Sequence, residues 1–172
     1  MCGALSEKHD PATELSFAGA LLARVADGLP RERLALHVCR GNWTTDESVA
    51  LRGDWTPLID LLAAAPVGTL LLEMATPRAG DEAVLAALPQ DKRIGLGAVD
   101  QKLARVETVD EIIRRVEPRI ARFGAERLLL VPDCGFATFG DNPIASSEVA
   151  EAKLAALARA AAHLRNQERS LP

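Results

Sequence analysis

An α/β fold built on parallel strands is the class this sequence predicts, on three observations. Four short apolar runs, Arg33 to Val38, Thr69 to Glu73, Arg93 to Val99 and Arg127 to Val131, have strand length, and their unbroken apolarity marks strands covered on both faces. A polar loop and an amphipathic segment follow each run, so the recurring unit is βα. The 172 residues are 48% apolar and 26% charged, enough to bury a core, and no Gly, Ser and Pro-rich linker divides them. Residues 1–172 therefore read as one domain.

The helices are expected near 13–26, 56–65, 81–88, 108–123 and 146–167, and right-handed crossovers would place them on one side of the sheet. Thr108 opens the clearest of them. Its hydroxyl is positioned to cap the amide of Glu111 while Glu111 reaches back, a capping box. Val109, Ile112, Ile113, Val116 and Ile120 then form one apolar stripe. Pro118 interrupts that stripe, lacks a donor and crowds the preceding turn, so a kink or a stop near Glu117 is expected. In the last helix Ser146, Ser147 and Glu148 supply a cap and an acidic first turn, and Leu154, Leu157, Ala161 and Leu164 are expected to pack on the sheet.

Four βα units make half of an eight-stranded (β/α)8 barrel, and the opening helix has no strand of its own before it. The chain thus reads as a later portion of such a barrel, with an open four-stranded sheet as the alternative. Either form leaves unpaired strand edges and predicts a partner, a second copy or a complementary half-barrel chain.

Charge and hydropathy exclude several classes. The formal charge of −4 disfavours nucleic acid as a partner. Leu61 to Leu72, the longest nearly apolar stretch, is short and broken by Pro66, Gly68 and Thr69, so no membrane span is expected. The first ten residues lack the pattern of a secretory signal, which points to the cytoplasm, where the three cysteines are thiols or metal ligands rather than a disulfide framework.

The chemistry-bearing residues fall at strand C-termini. His37 and Cys39 lie at the end of the first run, Glu73 ends the second, Asp100 follows the third and Cys134 follows the fourth. Parallel strands deliver such residues to a single rim although they are far apart in sequence. Two thiolates, an imidazole and a carboxylate suit zinc, whereas magnesium and calcium prefer oxygen ligands. Asp100 is placed to orient a ligand or meet a polar substrate group, and Arg40 to anchor an anionic substrate. The plainer readings are that each cysteine is a small buried hydrophobe, that Glu73 pairs with Arg40 or Arg78, that Asp100 and Asp133 build turns, and that the zinc is structural. Cys2, His9 and His163 are assigned to the surface.

The segments Leu36-His37-Val38-Cys39, Leu71-Leu72-Glu73, Ile94-Gly95-Leu96-Gly97-Ala98-Val99-Asp100 and Val131-Pro132-Asp133-Cys134-Gly135-Phe136 resemble the C-terminal catalytic barrel of cobalamin-independent methionine synthase and its relatives. That superfamily also contains uroporphyrinogen decarboxylase. The resemblance runs over most of the chain. It implies that His37, Cys39, Glu73 and Cys134 hold Zn2+, which activates the thiol of homocysteine for methylation by a methyltetrahydrofolate in methionine biosynthesis. The chain departs from the synthases in carrying Arg40-Gly41-Asn42 after Cys39 in place of an aromatic residue, a Cys or Ser and an acid. After Cys134 it carries Phe136-Ala137-Thr138-Phe139, where the synthases have a Lys and an Arg.

Three functions follow as expectations. The first is a zinc-dependent methyltransferase acting on a small thiol, with Asp100 as a catalytic residue and Arg40 contacting substrate. The second is a non-catalytic half-barrel with structural or vestigial zinc that needs a complementary chain. The third is a metal-free rim chemistry such as decarboxylation.

Overall fold

A computed structural model describes residues 10–53, 55–77, 82–137, 139–141 and 143–169. Its sheet has four strands, β1 (Ala35–Val38), β2 (Thr69–Leu72), β3 (Arg93–Val99) and β4 (Leu128–Pro132), in the order β1-β2-β3-β4. Every pair is parallel, with His37 opposite Leu71, Leu71 opposite Gly95 and Gly95 opposite Leu129. The helices are α1 (Pro11–Ala26), α2 (Ile59–Ala64), α3 (Val109–Phe123) and α4 (Ser147–Arg169). All four predicted strands are present, and the helix expected over 81–88 is a 3-10 segment, Glu82–Ala87.

Alternation along the strands divides the sheet into two faces. Leu36, Val38, Leu70, Leu72, Ile94, Leu96 and Leu130 turn to one face and join Leu62, Ile112, Val116, Ala156, Leu157 and Ala160 in a single core. The opposite face carries Ala35 and His37, both exposed, then Leu71, Gly95 and Gly97. Gly95 leaves room there for Leu71, since a Cβ on it would lie 2.3 Å from the Leu71 side chain and 3.3 Å from its Cα.

Two expectations about helices are corrected. The capping box at Thr108 is present, but α3 does not stop near Glu117 and continues through Pro118 to Phe123. Pro118 and Arg114 are both exposed, so water can hydrate the carbonyl that loses its donor, and the proline ring faces solvent rather than the packed side. In α4 the cap at Ser146 is as expected, its hydroxyl accepting from the Val149 amide at 3.3 Å. The buried stripe, however, is Lys153, Ala156, Leu157, Ala160 and Leu164, with Leu154 48% exposed. Both stripes have helical spacing. The one containing a lysine is inward because Lys153 has a buried carboxylate to meet: its ammonium donates to Glu107 Oε2 and to the Arg105 carbonyl, both at 2.6 Å. No described helix is long and apolar enough to cross a membrane.

Candidate metal centre

The C-terminal ends of β1 and β4 bring three of the predicted residues together. One donor atom each from His37, Cys39 and Cys134 lies within 4.8 Å of the other two. His37 reaches inward from the exposed face of β1. Its Nδ1–H donates to the Leu71 carbonyl of the neighbouring strand at 3.2 Å, which orients the ring so that Nε2 faces Cys134 Sγ, also at 3.2 Å. Zinc bonds of about 2.0–2.1 Å to nitrogen and about 2.3 Å to sulfur require donor separations of about 3.5–3.8 Å in a tetrahedron. The 3.2 Å between His37 Nε2 and Cys134 Sγ is close to that spacing, and three donors gathered within 4.8 Å suit a single zinc ion.

Protons crowd this group. Cys39 accepts from Cys134, from His37 and from the backbone amides of Gly41 and Asn42, and its pKa falls to about 3. His37 is raised, chiefly by its contact with Cys39. Cys134 is pushed up by donating to Cys39 and by burial. A cation placed among the three would replace these shared protons, the condition that favours thiolate and neutral imidazole as ligands.

Glu73 is fully buried beside this group, and its Oε2 accepts from the Arg40 amide at 2.7 Å. Its charge acts on both His37 and Cys134. The loop that holds it is tied to β4 by Asp133, whose Oδ1 accepts from the amides of Met74 and Ala75 at 2.8 Å each. Burial, the largest influence, raises Asp133 to about 7. Gly97 makes room for that carboxylate, since a Cβ on it would lie 1.9 Å from Asp133 Oδ1.

Arg40 is 7% exposed, and its guanidinium lies 4.0 Å from the centre of the buried Trp55 ring. Asp100 closes a turn, its Oδ1 accepting from the Lys102 amide and its own amide donating to Glu107 Oε1, both at 2.9 Å. His163 is exposed, as expected, while Cys2, His9 and Arg78 lie outside the described residues.

Residue patterns did not reveal Asn42, Glu107 and Lys153. Asn42 is 2% exposed and its Nδ2 donates to Cys134 Sγ at 3.5 Å. The available signal for Lys153 was its place in a second helical stripe, and none marked Glu107.

With this geometry established, comparison with known proteins settles the lineage. Residues 6–162 match the family model described as "Cobalamin-independent synthase, Catalytic domain". The chain belongs to this family. Among curated relatives of this cobalamin-independent synthase domain, a methionine synthase from Methanothermobacter marburgensis is 30% identical over 132 residues, covering 72% of this chain and 43% of that protein. An uncharacterized protein, YxjH, from Bacillus subtilis is 28% identical over 140 residues, covering 80% of this chain and 37% of the relative. The B12-independent methionine synthase of Shewanella sp. W3-18-1, solved in complex with selenomethionine, superposes with a TM-score of 0.78 at 23% identity. That match covers 94% of this chain and 46% of the solved one, which is a TIM barrel. The cobalamin-independent synthase domain described here thus spans less than half the length of each of these relatives, as the sequence pattern of a partial barrel predicts.

Proposed function

We propose that this chain is the metal-bearing part of a zinc-dependent methyltransferase that activates a small thiol such as homocysteine for methylation by a methyltetrahydrofolate-type donor. The observation that carries the reading is the gathering of His37, Cys39 and Cys134 within 4.8 Å at the strand ends. These three residues would hold Zn2+, and Glu73, buried beside them, is assigned as the exchangeable fourth ligand.

A free thiol with a pKa of about 8.5 is only roughly 3% thiolate at pH 7, and the thiolate is the nucleophile. Zinc, when bound, supplies the positive charge that stabilises a substrate thiolate, and a pKa lowered by about two units represents roughly 2.7 kcal/mol. The transfer itself is balanced. The substrate sulfhydryl gives its proton to solvent and its sulfur pair forms a bond to the donor methyl carbon. The methyl–nitrogen bond breaks, and its electrons stay on a nitrogen that takes up a proton. In this reading Nδ1–H of His37, held on the Leu71 carbonyl, keeps Nε2 aimed into the site, and Arg40 fixes Glu73 through its amide. Asp100 serves at the rim from the turn it closes.

Metal analysis of the purified chain tests the reading, with about one zinc per chain expected and loss of that zinc in Cys134→Ser. A chain that binds no zinc, or a C134S variant that binds it undiminished, would overturn it. The open strand edges favour a second reading, a half-barrel that binds zinc but turns over only when a complementary half is supplied. Thiol methylation by the chain alone excludes that second reading.

A further inference from the structure

Asn42 occupies an unusual position in the loop after β1. After β1 the chain runs through Cys39, Arg40, Gly41, Asn42 and Trp43. Arg40 packs on Trp55, and Trp43 folds back over Gly41, whose φ of 95° and missing Cβ permit this. A Cβ at Gly41 would lie 2.1 Å from the Trp43 ring. The reversal at Gly41 turns the backbone amides of residues 41 and 42 toward Cys39, an arrangement of successive N–H groups that favours an anion. It also drives the Asn42 side chain inward, where Nδ2 lies 3.5 Å from Cys134 Sγ. A thiolate only accepts, so the amide nitrogen must face it. The loop is braced from the far side by Gln101, fully buried, whose Nε2 donates to the Asn42 carbonyl at 3.4 Å.

We propose that Asn42 is the positioning residue for the Cys134 sulfur of the centre, holding it through its side-chain amide. The inference rests on the metal reading above and adds to it. A hydrogen bond to a metal-bound thiolate draws electron density from sulfur and fixes its direction, so a residue on the loop after β1 sets the orientation and the donor strength of a ligand at the end of β4. It does so without adding a proton or a charge to a site that already collects several anionic groups.

Cobalt titration of the full chain tests this with Co2+ as the probe. The wild type should give a thiolate-to-cobalt charge-transfer band. Asn42→Leu, close in size but without a donor, and Asn42→Ala should shift that band to longer wavelength while its intensity per cobalt is kept. A lost or weakened band would mean collapsed ligation rather than retuned sulfur and would overturn the proposal, as would an unshifted band. A wild type without the band overturns the metal reading, and this inference with it. Should both variants fail to fold, cadmium-113 NMR of the wild type decides. Scalar coupling from the metal to an Asn42 side-chain amide proton is expected, and its absence overturns the proposal.

Discussion

At the scale of single residues, the centre depends on small groups placed where larger ones would collide. Gly97 is the sharpest case, because its missing Cβ is the space that Asp133 Oδ1 uses to hold the Met74 and Ala75 amides. Gly97→Ala should expel that carboxylate and release the loop behind Glu73. The expected cost is about 1–3 kcal/mol in urea unfolding, accompanied by weaker zinc binding. Unchanged stability and zinc affinity would show that the loop tolerates the methyl group. Glu73→Gln separates the assigned fourth ligand from the other three. Zinc should remain bound but at least about tenfold more weakly in a competition assay with a chelator, whereas Cys134→Ser loses it. His37, Cys39 and Cys134 were legible in the sequence because strand ends of a parallel sheet share a rim. Asn42 was not, since its role depends on a reversal at Gly41 and a loop path that no periodicity encodes.

At the scale of elements, buried charge does what apolar periodicity does not reveal. Lys153 sits on the inward stripe of α4 and meets Glu107, with side chains 0% and 1% exposed, while the other Glu107 oxygen holds the Asp100 amide at the end of β3. This junction ties the last helix to the rim that carries the centre. Lys153→Met leaves Glu107 buried without its cation, and a loss of about 3–5 kcal/mol is expected in urea unfolding. Lys153→Met combined with Glu107→Gln should recover much of that loss, and failure to recover would locate the damage in packing. Apolar spacing favoured the Leu154 stripe, although the stripe containing Lys153 has helical spacing too. Only the partner on a distant loop decides between them.

Helix α3 makes the complementary point about local signals. Thr108 and Glu111 form their capping box as the sequence predicts, and the Thr108 amide, with Arg105 beside it, holds the Glu111 carboxyl down to about 2. A carboxyl depressed on folding stabilises above its ordinary pKa of about 4.3, and the contribution fades as pH falls toward 2. The stability difference between wild type and Glu111→Gln should therefore be constant near neutrality and vanish by about pH 2. A difference that persists in acid would assign it to something other than the cap. The cap was readable because it is confined to four consecutive residues, whereas tolerance of Pro118 depended on which side of the helix faced water.

At the scale of the whole molecule, the described strands end in two open edges. Among the described residues, β1 and β4 each lack a neighbour on one side, and Ala35 and His37 of β1 are exposed. Helix α1, which packs against α2, adds Phe17, Leu21 and Val25, 60%, 46% and 75% exposed and four residues apart, so they form one apolar stripe. In a right-handed βα array a helix that precedes a strand also covers the strand before it, and among the described residues no strand pairs with the outer side of β1. Unpaired parallel edges and an exposed apolar stripe favour association. The purified chain should sediment above its 18.4 kDa monomer mass. Phe17→Glu with Val25→Glu should return it toward that mass while circular dichroism and zinc content are retained, because neither residue belongs to the core or the centre. If the wild type is already monomeric, the edges are shielded within one copy. If the double variant still associates, strand edges and not α1 carry the contact, and substitutions on β1 should be the ones that dissociate it.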